Sequence, residues 1–137
     1  MTRTLRQPPA QTEKAFQAQI VELAGLLGYL TYHTYDSRRS TSGFPDLVMV
    51  RPEGGPGRPR RVLFAELKVG RGRVTPAQHQ WLATLAAAGA EAYCWFPEDW
   101  HVIEHVLSRG PLPGDLYGER GAASGSETSA STPPTRC

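Results

Sequence analysis

Cysteine, methionine and long apolar runs are scarce in this chain of 137 residues. Its two cysteines, Cys94 and Cys137, make a poor disulfide framework, so we expect a reducing, cytoplasmic environment. No run of about 18 residues is apolar and uncharged, which argues against a membrane-spanning helix. The opening residues, MTRTLRQPPAQTEK, lack the apolar core of a signal peptide. These scarcities argue against a disulfide-rich secreted protein and against a membrane protein.

The apolar residues that are present suffice for one modest core. They make up 39% of the chain, a proportion typical of globular proteins, and the length suits a single domain. Residues 1–11 are polar and are expected to be flexible. Residues 108–137 are rich in Gly, Pro, Ser and Thr and are expected to be disordered. The folded domain is therefore predicted to span residues 12–107.

Positive charge is concentrated in the middle of the chain, although the whole chain carries only +2. Between residues 38 and 73, nine basic and three acidic side chains give a net charge of +6. This distribution indicates a polyanionic partner, in particular nucleic acid, and the alternative is a solvated arginine-rich surface. The nine basic residues are Arg38, Arg39, Arg51, Arg58, Arg60, Arg61, Lys68, Arg71 and Arg73.

Capping residues and hydrophobic periodicity predict three helices. The first begins after Thr12 and ends near Gly28, and its apolar residues follow helical spacing. The second begins after Thr75, with Pro76 at its first position and Gln78 completing a capping box. A closing helix is predicted over residues 98–109.

Four strands are predicted between and after these helices. The strand between the last two helices follows a helical crossover, so it should run parallel to the strand before that crossover. The short, Gly- and Pro-rich connection between the second and third strands favours an antiparallel hairpin. The predicted fold is α/β (α+β), with the order α-β-β-β-α-β-α and a mixed four-stranded sheet flanked by helices. The strands are expected at residues 29–36, 46–52, 61–69 and 91–96.

Three charged residues interrupt the strands that otherwise look most buried, FPDLVMV and FAELKVG. Strand alternation puts Glu66 and Lys68 on one face, and a suitable hairpin register brings Asp46 beside Glu66. Neighbouring carboxylates repel each other, and a divalent cation such as Mg²⁺ or Mn²⁺ removes that cost. Lys68 can stabilise charge developing on a phosphate. The alternative is a buried ion pair without a metal.

Glu13 lies in the first turn of the first helix, on the inward face. An acid at this position is favoured by the helix dipole, which is one explanation of its presence. The other explanation is that Glu13 belongs to the same site as the strand carboxylates.

The motifs GFPD (43–46), AELK (65–68) and TPAQHQWL (75–82), in this order and spacing, resemble the VRR-NUC group of the PD-(D/E)XK nuclease superfamily. TEKAFQAQIVELAGLLGY (12–29) resembles the first helix of that group. The resemblance covers about residues 12–105 and implies a restriction-endonuclease-like core. It also implies a Mg²⁺-dependent DNA endonuclease, with Mn²⁺ as a substitute and branched DNA such as a Holliday junction as one candidate substrate.

The resemblance also assigns roles to individual residues. Asp46, Glu66 and the backbone carbonyl of Leu67 would bind the metal, and Glu13 would complete the site. Lys68 matches the catalytic lysine. Gln78 matches the polar residue that follows the core motif in this group, a role that can coexist with its capping box.

The sequence also leads to expectations about DNA binding and about assembly. The phosphate contacts are expected at Arg38 and Arg39, before GFPD, and at Arg71 and Arg73, after the site. A homodimer is expected because symmetric cleavage of DNA needs two active sites. No membrane partner and no small-molecule cofactor beyond the metal are expected. A catalytically inactive nucleic-acid-binding module with a nuclease-like fold is the alternative function.

Overall fold

The structure is a computed structural model that describes residues 11–35 and 37–119. It contains the predicted α-β-β-β-α-β-α order, which is confirmed. Short 3₁₀ helices occur at Ser37–Arg39 and at Pro97–Asp99. The main elements are α1 (Glu13–Leu26), β1 (Leu30–His33), β2 (Leu47–Arg51), β3 (Arg61–Leu67), α2 (Pro76–Ala87), β4 (Glu91–Trp95) and α3 (Trp100–Arg109).

The four strands form one mixed sheet in the order β1-β2-β3-β4. The first three are antiparallel, and β3 pairs in parallel with β4, because the connection between them passes through α2. Both predicted pairings, the hairpin and the parallel pair, are therefore confirmed. In the hairpin, Leu47 pairs with Ala65 and Arg51 with Arg61. The first strand is shorter than predicted, since the chain leaves the edge of the sheet after His33.

One face of the sheet packs on α1 and α3. Thr12 caps α1 by accepting a hydrogen bond from the Ala15 N–H at 3.0 Å, and Gly28 follows the helix at a φ of 92°. The residues of α1 that face the sheet are fully buried, as are those of α3 and the odd-numbered residues of β3. The centre of this core is formed by Phe16, Ile20, Ala24, Leu47, Met49, Leu63, Ala65, Ile103, Val106 and Leu107.

The opposite face is covered in part by α2. Leu82 is fully buried, and Trp81 meets the ring of Phe44 edge to face at a centroid distance of 5.0 Å. Phe44 in turn contacts Phe64 of β3 at 6.1 Å. These ring contacts tie the loop before β2 to both the sheet and α2.

Two of the basic residues in the central window, Arg51 and Arg61, are buried, and a third, Arg58, is exposed but bonded to a backbone carbonyl. Arg61 is buried, donates to both carboxylate oxygens of Glu91 at 3.0 and 2.7 Å, and donates to the Tyr29 hydroxyl oxygen at 2.8 Å. The guanidinium of Arg51 lies 4.8 Å from the centre of the Tyr29 ring, and Arg58 donates to the carbonyl of Leu27 at 2.8 Å. The sequence therefore overstates the positive charge that faces solvent.

The ordered chain continues beyond the expected boundary at residue 107. Helix α3 ends at Arg109, and the segment after it returns to the sheet, where the Tyr117 N–H donates to the Ala92 carbonyl at 2.7 Å. Residues 1–10, and the part of the expected tail from residue 120 onwards, lie outside the described residues. No helix among the described residues is long and apolar enough to span a membrane.

Cys94 lies in β4. Cys137, the second cysteine of the sequence, lies outside the described residues.

Among the described glycines, Gly43 is the one whose replacement should cost the most. Its φ is +94°, and an added Cβ would lie 2.5 Å from the carbonyl carbon and oxygen of Ala77. Gly89 has nearly the same φ, +95°, with nothing within 4 Å of an added Cβ. Gly89→Ala should therefore lose about 1–2 kcal/mol for the left-handed backbone alone. Gly43→Ala should lose a further 1–3 kcal/mol or so from the clash.

Urea denaturation of the two variants measures this difference directly. Equal losses of unfolding free energy in the two variants would contradict the close contact between Gly43 and Ala77 of α2.

Candidate functional site

The charged residues of the hairpin meet at its open end, where β2 begins and β3 ends. Leu47 pairs with Ala65, so the same register places Asp46 opposite Glu66, one step further along the hairpin. The two side chains interact, since the negative charge of Asp46 raises the pKa of Glu66. The sequence-based expectation that Asp46 and Glu66 would be neighbours therefore matches the observed geometry.

Asp46 is held in place by the backbone of the partner strand. Its Oδ2 accepts a hydrogen bond from the Leu67 N–H at 2.9 Å. This bond holds the carboxylate in place across the hairpin. Asp46 is half-buried and lines a cleft of about 560 Å³.

Glu66 occupies an environment that disfavours its ionised form. The residue is 2% exposed, and its Oε1 atom is buried without a hydrogen-bond partner. Burial, and next the negative charge of Asp46, raise the pKa of Glu66 from 4.5 to about 8. A buried carboxylate oxygen without a partner is unusual in a folded protein.

Lys68 offsets part of this cost. Its Nζ lies 3.5 Å from Oε2 of Glu66, and its charge opposes the upward shift of the Glu66 pKa. The lysine is itself buried. Gly72 gives its stem room, since an added Cβ there would lie 3.3 Å from the Lys68 Cδ atom. The ammonium group of Lys68 therefore lies beside the Glu66 carboxyl group.

The donor set fits a hard divalent cation. The two neighbouring carboxylates, one with a buried unpaired oxygen, would gain a partner and lose their mutual repulsion if they held a cation. Within residues 11–35 and 37–119, however, no three His, Cys, Asp or Glu side chains are grouped closely enough to hold a metal ion. Further ligands would have to be backbone oxygens, water or substrate.

Glu13 is the outermost of the predicted site residues. It is the first residue of α1 and is exposed. Partial burial raises its pKa, as does the charge of Asp46, while Lys68 lowers it. The charges of the site therefore affect the pKa of Glu13, although its side chain is exposed. Its role as a metal ligand remains a prediction. The same holds for the Leu67 carbonyl.

Gln78 has the capping role that the sequence predicted. Its Oε1 accepts from the Thr75 N–H at 2.9 Å, and the Thr75 Oγ1 accepts from the Gln78 N–H at 3.1 Å. Gln78 also lines the cleft beside Asp46. Because its side-chain oxygen is used in the cap, a ligand in the cleft would meet the amide group of Gln78 as a donor.

The four arginines predicted to contact phosphates lie on the surface. Arg38 and Arg39 belong to the 3₁₀ helix Ser37–Arg39, in the loop that leads to Asp46. Arg71 and Arg73 are exposed in the connection between Lys68 and α2. They flank the site in the chain on both sides, and phosphate binding by them remains a prediction.

Sequence reasoning missed most of the cleft. Its aromatic residues, Tyr32, Tyr35 and Trp81, come from an edge strand, a loop and a helix. The sequence contains little that would identify these residues. The two tyrosines differ from core aromatic residues only in their exposure to solvent, and exposure cannot be determined from one sequence.

The chain combines a mixed four-stranded sheet with two carboxylates and a lysine at the end of one hairpin. A family model described as the VRR-NUC domain matches residues 6–95, well over half of the chain. The chain therefore belongs to the VRR-NUC family, as its motifs indicated.

The other comparisons found one similar structure. No curated protein matches the chain. Among solved structures, a Holliday junction resolvase, Hjc from the archaeal hyperthermophile Archaeoglobus fulgidus, is similar at 24% sequence identity and a TM-score of 0.41. The similarity covers 60% of this chain and 66% of the resolvase chain, just under two thirds of its length.

The carboxylate pair should make the metal-free protein less stable at high pH. With a pKa of about 8 when folded and an ordinary value near 4.5, Glu66 keeps a proton that the unfolded chain has lost between these values. The folded state binds more protons, so stability falls as pH rises through this window. Glu66→Gln should flatten the fall and melt at a higher temperature near pH 8.

Thermal melts in EDTA from about pH 5 to about pH 8 measure this effect. Glu22→Gln, a change at an exposed acid on α1, is the matched control and should follow the wild type. Mg²⁺ at the upper pH should raise the melting temperature of the wild type more than that of Glu66→Gln. Parallel profiles for wild type and Glu66→Gln would contradict the assignment.

Proposed function

We propose that the protein is a Mg²⁺-dependent endonuclease that hydrolyses phosphodiester bonds in DNA. One observation carries this proposal: Glu66 is buried against Asp46, with an unpaired oxygen, beside a cleft in a VRR-NUC domain. A purely structural carboxylate pair would be better replaced by apolar residues, which cost no desolvation. The free-energy cost of keeping these two carboxylates buried together is explained if the charges of the site act on a cation and a phosphate.

The metal would be held by Asp46 and Glu66, with Glu13 and the Leu67 carbonyl as the further predicted ligands. When bound, it would supply the positive charge that activates a water nucleophile and offsets the charge of the phosphate. Mn²⁺ would substitute because it accepts the same oxygen ligands. No other cofactor is part of the proposal.

Lys68 would act on the phosphate. Its ammonium is held 3.5 Å from Glu66 in a buried position, so water screens its charge poorly. A fixed cation in such a place favours the additional negative charge that develops on the phosphate oxygens during hydrolysis. Arg38, Arg39, Arg71 and Arg73 would hold the DNA backbone on either side.

The proposed substrate class is branched DNA, including the Holliday junction, and the proposed assembly is a homodimer. A single domain of this size holds one site, so paired cuts on two strands need two copies related by a two-fold axis. The cytoplasmic location expected from the sequence is part of the same proposal. Sedimentation velocity of the protein with and without a junction tests the dimer.

A nucleic-acid-binding module without nuclease activity is the second candidate. It is favoured by the finding that, in the described part of the chain, no three metal-binding side chains converge. Incubation with branched, flap, single-stranded and linear duplex DNA, with Mg²⁺ or with EDTA, separates the two. Cleavage that needs Mg²⁺ and is lost in Asp46→Asn supports the nuclease. Binding without cleavage under every condition supports the module.

Lys68→Met is the variant that distinguishes catalysis from structure. If Lys68 serves the phosphate, the variant should fold and bind DNA but cleave about 100- to 1,000-fold more slowly. Lys68→Arg should not restore the full rate, because a planar guanidinium directs its donors differently. If Lys68 only neutralises Glu66, its loss should instead cost about 3–5 kcal/mol of stability.

Single-turnover cleavage and thermal melts on the same preparations give the answer. Lys14→Met, which removes an exposed lysine from the first turn of α1, controls for the loss of one positive charge. An unfolded Lys68→Met protein would favour the structural role, and full activity would remove Lys68 from the mechanism.

A further inference from the structure

The cleft beside Asp46 is built differently from the carboxylate pair. It has a volume of about 560 Å³ and is lined by β1, by the loop between β1 and β2, and by the first turns of α2. Its volume lies in the range of small-molecule sites, which is enough for a nucleotide and too small for a duplex. Neither Glu66 nor Lys68 is among its lining residues.

Aromatic rings provide the apolar part of the wall. Tyr35 is 89% exposed and Tyr32 is 63% exposed, although large aromatic side chains are usually well covered in a folded protein. Trp81 is half-buried and is held by its edge-to-face contact with Phe44. Two accessible rings and one fixed ring therefore border the same space, in which a planar group could stack.

The polar part of the wall is almost free of charge. Serine and threonine side chains and the amide of Gln78 line the cleft, and Asp46 is the sole charged residue among the described residues that line it. A phosphate inside the cleft would find no positive partner there and would face a carboxylate. The occupant that this chemistry favours is a neutral, planar group with hydrogen-bonding edges.

The charged groups that suit a phosphate lie outside the cleft but close to it in the chain. Arg38 and Arg39 are exposed and fall between Tyr35 and the serine and threonine residues of the wall. Asp46 belongs both to the cleft wall and to the carboxylate pair. A nucleotide with its phosphate at the carboxylates therefore has an uncharged compartment next to it for its base.

We propose that this cleft accepts one unstacked nucleobase of the DNA strand that is being cut. This assignment rests on the proposed nuclease function. The base stacks on Tyr32 and Tyr35, as single-stranded nucleic acids stack on aromatic side chains, and its edge meets the hydroxyl groups and the Gln78 amide. DNA that already holds a base unpaired at the cut, as at a flap or the centre of a junction, then binds better than continuous duplex, in which the base must first leave the stack.

The test is a double-mutant cycle between the base and the tyrosines. Each nucleotide around the cut in a flap substrate is replaced in turn by an abasic analogue, and binding is measured by fluorescence anisotropy with Ca²⁺ in place of Mg²⁺. At one position, the abasic analogue should weaken binding by the wild type roughly 5- to 150-fold. The variant Tyr32→Ala/Tyr35→Ala should bind the intact flap more weakly than the wild type does, by a similar factor. Replacing the base with the abasic analogue should then weaken the binding of this variant only slightly further.

Two controls keep the outcome specific. Tyr32→Phe/Tyr35→Phe retains both rings and should keep the sensitivity to the abasic analogue. Leu26→Ala removes a side chain that is 79% exposed on α1 and lies outside the cleft wall, so it should bind as the wild type does.

The outcomes separate this site from the nuclease itself. Mg²⁺-dependent cleavage by the wild type decides the proposed function, whereas the coupling between base and tyrosines decides the cleft. If the wild type cleaves but is insensitive to the abasic analogue at every position, or if the alanine variant is equally sensitive, the base-binding cleft is overturned and the nuclease stands.

Discussion

The register of the β2–β3 hairpin is the constraint on which the functional edge of this protein depends. Because Leu47 pairs with Ala65, Asp46 stands opposite Glu66, and the Leu67 N–H can bond to Asp46. A slip of one residue would turn Glu66 and Lys68 into the apolar layer and bring Leu67 to the site. The apolar residues Leu63, Ala65 and Leu67, which are buried against α1 and α3, oppose that slip. Core packing on one face thus sets the chemistry on the other.

Burial of Glu66 and Lys68 costs free energy that packing elsewhere in the fold has to offset. Both are buried ionisable groups at one end of β3, and one oxygen of Glu66 has no hydrogen-bond partner. At the other end, Arg61 is also buried, but it is fully engaged with Glu91, with Tyr29 and with the Val106 carbonyl at 2.6 Å. A charge with several good hydrogen bonds costs far less than one without them. The same strand therefore carries a buried ionisable group with satisfied hydrogen bonds at one end and a buried carboxyl group with an unpaired oxygen at the other.

Local signals in the sequence predicted the parts of the fold that depend on neighbouring residues. Thr12 and Thr75 cap their helices as expected. The short Gly- and Pro-rich connection forms a hairpin because a connection of this length joins neighbouring strands. The alternation of β3 also placed Glu66 and Lys68 together. What sequence could not reveal depends on distant contacts: that Arg51 and Arg61 are interior, that Gly43 touches Ala77, and that Tyr32, Tyr35 and Trp81 border one space. Residue type alone does not distinguish an arginine on the surface from one that donates to buried carbonyls.

The carboxylates and the cleft come from different parts of the chain, and this has an evolutionary consequence. Asp46, Glu66 and Lys68 belong to or directly border the hairpin, whose register the core enforces, whereas most of the cleft wall lies on the edge strand β1 and on the loop between β1 and β2. Substitutions and insertions are tolerated in such loops far more readily than in a central hairpin. Under the proposed function of the cleft, substitutions among residues 32–35 and 37–42 would change which DNA is accepted, while the groups proposed to cleave it stay unchanged.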